Sequence, residues 1–151
     1  PMQAYVHEIV SYLIASFESQ AFVQAQIAVT DVTLDVSLAV PVGLILNEAI
    51  TNSLKYAFPA QQPGLIRVEL THTGKTYTLN FSDNGAGLPT DFDPQRSRTL
   101  GMSLIRGLSK QLDGRLQIDS RVGVQIILEF DDIAVVNRPN QQEAVLLATN
   151  P

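Results

Sequence analysis

Apolar residues recur along the chain with two periods, and the changes of period mark the elements. Met2, Tyr5, Val6, Ile9, Leu13 and Phe17 fall at offsets of three and four, which predicts an amphipathic helix with one apolar stripe. Its abrupt, uncapped start at Pro1 reads as a cut into a longer helix. A short extended stretch follows at Ile27-Ala28-Val29-Thr30, then a polar bend near Asp31 and Asp35. Pro41 suits the first turn of a second helix, where its missing N–H costs nothing, and Pro59 stops that helix after Phe58. The period then falls to two. Ile66, Val68 and Leu70 alternate with Arg67, Glu69 and Thr71, and beyond a turn at Gly74-Lys75 the pattern repeats in Tyr77, Leu79 and Phe81.

Residues 83–100 carry Gly and Pro signals and end in a polar, basic run, which predicts a long loop of the kind that carries function. Helical spacing resumes at Gly101 with Leu104, Ile105, Leu108 and Leu112, and Gly114 is the expected stop. Leu116 and Ile118, then Val124, Ile126, Leu128 and Phe130, predict a closing hairpin around Arg121-Val122-Gly123. In the tail, Val145-Leu146-Leu147 marks a short docking element of undetermined type. The order helix, strand, helix, hairpin, loop, helix, hairpin predicts an α+β fold, with helices on one face of a mixed, mostly antiparallel sheet.

Composition narrows the function. At 151 residues, 45% apolar and 17% charged, the chain can bury one real core. No apolar run approaches the roughly 18 residues that span a bilayer, and the first residues lack a signal-peptide pattern. There is no cysteine, which excludes a disulfide framework, a thiolate zinc site and a cysteine nucleophile. With only His7 and His72, a histidine-rich metal site is not expected. A net charge of −5 argues against bulk attraction to nucleic acid or anionic lipid.

Three features carry candidate chemistry. On the second helix, placing Glu48 at zero puts Asn52 at about 40° and Lys55 at about −20°, at ~100° per residue. Leu46, Ala49, Ile50, Ser53, Leu54 and Ala57 fall on the opposite, core-facing side. The plain alternative is a solvated face with Glu48 near Lys55. Asn47 and Asn52 inside one helix argue against it, because Asn favours caps and turns. The second feature is Asp83-Asn84-Gly85-Ala86-Gly87-Leu88-Pro89, directly after a strand. An acid followed by spaced glycines lets backbone approach a flat or phosphorylated ligand, although Asn-Gly alone also marks an ordinary turn. The third is Gly101, opening a helix after a loop with Arg96 and Arg98. Free N–H groups at a helix start bind phosphate.

In this order and spacing, Asn47-Glu48-x-x-x-Asn52-x-x-Lys55-Tyr56, Asp83-x-Gly85-x-Gly87 and Gly101 resemble the N, G1 and G2 boxes of the GHKL ATPase superfamily. That superfamily includes gyrase-type ATPases, mismatch-repair ATPases and the ATP-binding domains of sensor histidine kinases. The stretch Leu44–Phe58 is most similar to the histidine kinases, and the resemblance covers about residues 38 to 131. It implies a Bergerat fold, a two-layer α/β sandwich holding Mg-ATP between its helices under a lid formed by residues 89–100. It implies that Asp83 accepts a hydrogen bond from the adenine amine, that Asn52 ligates Mg²⁺, and that Lys55 and Tyr56 flank the nucleotide. Glu48 stands where the superfamily has its general base. Asn47, Gly85, Gly87, Leu88 and the run Thr99-Leu100-Gly101-Met102 complete the implied ATP-binding set. Two departures stand out: Thr99 replaces the first of two family glycines, and Gly123-Val124 replaces a Gly-Thr pair and so lacks a hydroxyl. The lid is also short.

The same resemblance implies residues 1–20 as the end of an upstream dimerisation helix, 21–132 as the ATP-binding catalytic domain, and 133–151 as a tail that could dock. The expected reaction is transfer of the γ-phosphoryl group of ATP to a histidine upstream. The expected partners are the dimerisation and phosphoacceptor domain and a response regulator, in a homodimeric parent. No nucleic-acid or membrane contact is expected of this chain; its location would be cytoplasmic, with anchorage of the parent left open. His7 has no H-box around it and is expected to be a solvated helix residue; His72 is expected at a surface turn. A degenerate nucleotide-binding scaffold and an anti-sigma-type serine kinase are the alternatives, the first kept open by Val124.

Overall fold

Period-two alternation builds the sheet, and the register puts its apolar residues on one face. The computed structural model describes residues 1–17, 22–59, 62–88, 91, 93 and 100–132. Its elements are α1 (Met2–Ser16), β1 (Val23–Val29), α2 (Val36–Asn52), a π-helical turn (Ser53–Ala57), β2 (Gly64–Thr73), β3 (Thr76–Asp83), α3 (Leu100–Gln111), β4 (Arg115–Asp119) and β5 (Gln125–Asp131). Among the described residues the strands form one five-stranded sheet in the order β1-β2-β3-β5-β4. β1 runs parallel to β2 and the other pairs are antiparallel, so α2 is the crossover that a parallel pair requires. Cross-strand pairs such as Val68↔Phe81, Leu70↔Leu79 and Leu79↔Leu128 stack the buried side chains under the helices. The opposite face is polar and cross-linked by Arg67 to Gln26 (2.9 Å) and Gln125 to Asn80 (3.2 Å). The expected two-layer α+β arrangement is what forms.

Several local expectations change. β1 begins at Val23, earlier than the Ile27–Thr30 stretch: Val23, Ala25, Ile27 and Val29 alternate with Gln24 and Gln26 on the open face, and the small Ala25 makes the first half of that alternation faint. Pro41 is not in the first turn. Asp35 caps α2, its carboxylate accepting from the Ser37 N–H at 2.9 Å, and the first helical position belongs to Val36. Pro41 therefore sits inside the helix and gives up the bond its N–H would have made to the Ser37 carbonyl. At the end of α3 the left-handed residue is Asp113 (φ 51°), not Gly114. Gly114 serves packing instead: a Cβ there would lie 2.6 Å from Leu128 Cδ1.

α1 shares the core. Met2, Val6, Val10, Leu13 and Ile14 join one hydrophobic cluster with α2 and the sheet, and the Tyr5 ring lies against Gly43 of α2. Among the described residues, Val36–Ala57 is long and apolar enough to cross a membrane, and half of its most apolar stretch is buried in the domain. Residues 133–151, with the tail and its docking element, lie outside the described residues.

Candidate functional site

The first polar position at the end of the β3 alternation is the anchor of the site. Tyr77, Leu79 and Phe81 face the core, and the same period carries Asp83 inward, where it is only 5% exposed. Its Oδ2 accepts from the Ser53 hydroxyl at 2.5 Å, and its Oδ1 accepts from the N–H groups of Gly85 (3.0 Å) and Val124 (3.2 Å). These donors are all neutral. A carboxylate offers about four acceptor positions, so three donors leave one for a ligand. Asp83 lines a cleft of about 930 Å³, bounded by α2, the π turn, the residues after β3, the start of α3 and the start of β5.

Most of the residues expected at the site meet there. Glu48, Asn52, Lys55, Tyr56, Asp83, Gly87, Leu88, Gly101 and Met102 line the cleft. Gly101 brings the third motif to the first: a Cβ on it would lie 3.0 Å from the Glu48 carboxylate and 3.4 Å from the Asn52 amide nitrogen. The opening turn of α3 thus rests on the polar stripe of α2. Asn47 does not line the cleft, since it lies about 100° round the helix from Glu48. Gly85 also stands behind the wall. A Cβ there would come within 2.4 Å of the Ala57 carbonyl oxygen, which already accepts from the Ala86 N–H at 2.9 Å. Thr99 lies outside the described residues; Leu100 opens α3, and nothing is described of its side chain. Of the lid span, only 91, 93 and 100 are described.

The stripe arithmetic holds as far as Asn52. Beyond it, Ser53–Ala57 is π-helical, so the turn widens and Lys55 and Tyr56 no longer follow the 100° step. Such π segments occur frequently at functional sites. Ser53, assigned from its angle to the core, is buried and is the hydroxyl that holds Asp83. A polar residue among apolar neighbours was its only signal. Thr51, Ala57 and Ile126 also line the cleft without any role having been expected of them; Ala86 lines it from within the Asp83–Pro89 motif, and Val124 from the position of the family Gly-Thr pair. The Val124 contribution to Asp83 is its backbone N–H, which is independent of the missing hydroxyl.

Gly123 has φ 68°, and a Cβ on it would fall 2.0 Å from the Asp83 carbonyl oxygen. Gly123→Ala is therefore expected to destabilise the domain by more than the ~1–3 kcal/mol of strained backbone alone. Urea unfolding checks this, and a variant as stable as the parent would refute the close approach.

A fit to Mg²⁺ can be judged from the donors. Among the described residues no group of three or more His, Cys, Asp or Glu side chains converges, so there is no all-protein cage. Asn52 and Glu48 instead present one amide oxygen and one carboxylate beside the start of α3. That is the sparse, hard-oxygen set on which Mg²⁺ is completed by water and phosphate.

Helices over one face of a mixed sheet, with an acid-floored cleft beneath them, define a two-layer α+β domain. Residues 38–133 match the histidine kinase-, DNA gyrase B- and HSP90-like ATPases, and the chain belongs to this family. It is 26% identical over 132 residues to blue-light-activated histidine kinase 2 of Erythrobacter litoralis, covering 87% of this chain and 38% of that protein. It is 30% identical over 99 residues to the sensor histidine kinase PdtaS of Mycobacterium tuberculosis, covering 63% of this chain and 20% of that one. Among solved structures, the histidine kinase domain of the E. litoralis EL346 blue-light-activated kinase superposes with a TM-score of 0.79 at 23% identity, over 100% of this chain and 66% of that one. The histidine kinase AdeS of Acinetobacter baumannii gives 0.65 at 18%, over 83% and 64%. These superpositions show a shared fold. The chain spans 38% and 20% of the two curated relatives. The family read from the three motifs is borne out.

Proposed function

We propose that this chain binds Mg-ATP in the cleft and donates the γ-phosphoryl group to a histidine on an upstream dimerisation domain. The parent would be a homodimeric sensor kinase, with this chain in the cytoplasm, that passes the phosphate to a response regulator. One observation carries the reading: Asp83, with one acceptor position left, and the Glu48–Asn52–Gly101 junction line the same cleft.

Asp83 accepts from the exocyclic amine of adenine, while Ala57, Leu88, Met102 and Ile126 give the base apolar walls. Tyr56, 73% exposed, flanks the nucleotide at the mouth, and Lys55 on the same turn offers its charge to the phosphates. Gly101 lies in the first turn of α3, whose free N–H groups face phosphate. Asn52 holds Mg²⁺ through its amide oxygen, and the bound ion supplies charge neutralisation at the phosphates. Phosphoryl transfer asks mainly for such positioning and electrostatics. Neither His7 nor His72 lines the cleft, which supports an acceptor outside these elements.

The scaffold alternative rests on the hydroxyl absent from Val124, but the bond Val124 makes to Asp83 needs only its backbone. Nucleotide binding separates the two. Titration with a fluorescent ATP analogue should give saturable, Mg²⁺-dependent binding. Asn52→Ala should weaken binding by several-fold with Mg²⁺ present and leave binding in chelator unchanged, because the lost oxygen acts on the ion. No binding by the wild-type chain would leave the scaffold reading; equal losses in both conditions would make Asn52 structural.

A further inference from the structure

The donors that hold Asp83 divide unevenly over its two oxygens. Oδ1 takes two backbone N–H groups, from Gly85 (3.0 Å) and Val124 (3.2 Å), which fill the lone pairs that one oxygen offers. Oδ2 takes the Ser53 hydroxyl at 2.5 Å and, among the described residues, no other donor. It is therefore the oxygen with a position left for a ligand. Ser53 is 3% exposed, lines the cleft and opens the π-helical turn. Val124 stands directly opposite Asp83 across the β3–β5 ladder: the Asp83 N–H donates to the Val124 carbonyl at 2.9 Å, one step beyond the Ser82↔Gln125 pair. Residues paired in this way share a face and bring their Cβ atoms to ~4.5–5.5 Å. Val124 lines the cleft as well, but its side chain has no donor to offer the carboxylate.

We propose that Ser53 is a positioning residue for base selection, supplying to the base-reading oxygen of Asp83 the hydroxyl that position 124 lacks. The inference rests on the reading of the cleft as the Mg-ATP site and deepens it. With Oδ1 pinned by backbone, the carboxylate can still swing Oδ2 about that corner. The Ser53 O–H stops the swing and aims the remaining acceptor position into the cleft. One open acceptor suits one donor, the exocyclic amine of adenine. Positions 53 and 124 approach the same carboxylate from two elements, the π turn and the start of β5, so one hydroxyl can serve from either. Thr at 124 would exchange a methyl of Val for a hydroxyl of similar size, with Asp83 as its acceptor. A chain with Val124 depends on Ser53 instead. Asn52 and Ser53, consecutive in the chain, then divide the nucleotide between them, one serving the phosphates and the other the base.

The test compares the affinities of this chain for ATP and for purine riboside triphosphate, which carries hydrogen where adenine carries its amine and so gives Asp83 nothing to read. Ser53→Ala should bind ATP about three- to tenfold more weakly, the range of one hydrogen bond, and bind the purine nucleotide as the wild type does. The ratio of the two affinities falls accordingly. Ser53→Ala/Val124→Thr should regain most of that ratio. If Ser53→Ala loses its melting transition, Ser53→Cys carries the same comparison, since a thiol fills the site and donates only weakly. A ratio that stays at its wild-type value overturns the proposal. So does an equal loss for both nucleotides, which marks a structural residue. A double variant no better than Ser53→Ala overturns the exchange with position 124. A wild-type chain that binds neither nucleotide removes the reading of the cleft itself, whereas wild-type binding with an unmoved ratio removes only the role of Ser53.

Discussion

Asp83→Ala is expected to weaken ATP-analogue binding by about ten- to a hundredfold. A hydrogen bond to a charged group is worth roughly 1.5–3 kcal/mol, and each ~1.4 kcal/mol is tenfold in affinity. The substitution also strands the Ser53 hydroxyl and the N–H groups of Gly85 and Val124, all of which now end on this one carboxylate. Unpaired buried donors cost stability, so the Ala variant confounds binding with folding. Asp83→Asn separates them. An amide keeps the shape and one oxygen for the backbone donors, but replaces the other oxygen with an NH₂ that donates. That variant should fold and still lose ATP. It should also lose less affinity for inosine triphosphate, which presents a carbonyl where adenine presents its amine. Calorimetry with both nucleotides on both proteins checks this. An Asn variant with the wild-type ratio between the two would show that Asp83 does not read the base edge.

How much of this was legible in the sequence follows from the range of each signal. The inward position of Asp83 is local, since the alternation from Tyr77 through Phe81 fixes its face. The stripe of Glu48 and Asn52 is local too, because a helix has one period. Their meeting with Gly101, about fifty positions along the chain, is not contained in any period; only the family resemblance joined the motifs, and the fold then placed them within contact. What failed was where a second interaction overrode the pattern. The Asp35 cap outcompeted Pro41 as the start of α2. The π turn at Ser53–Ala57 interrupts the 100° step on which the place of Lys55 was reckoned, and propensities carry no sign of it. Ser53 was hidden because its partner is distant in sequence. β1 was read short because Ala25, between Gln24 and Gln26, is too small to give the alternation much signal.

Glu48→Gln is expected to slow phosphoryl transfer by about 10²–10⁴-fold, the usual contribution of a positioned general base, with Mg-ATP affinity little changed. The proposed role follows from position. Glu48 is half-buried on α2, at the contact with Gly101 and beside Asn52, where the phosphates and the acceptor ring would meet. As the ring nitrogen forms its bond to phosphorus, positive charge builds on the imidazole. A carboxylate accepting the remaining ring N–H stabilises that charge and takes the proton as transfer completes. Gln keeps the size and the amide oxygen but carries no charge and is not a base. The effect should therefore appear in the transfer step and not in binding. In single-turnover experiments with the acceptor domain, the pre-bound Gln variant should show normal nucleotide occupancy and a slow appearance of acid-labile phosphate. If the loss instead tracked ATP affinity, Glu48 would be a binding residue for the metal-nucleotide complex. A wild-type transfer rate in Glu48→Gln would place the base on the acceptor side of the reaction, and α2 would then serve only to position the phosphates.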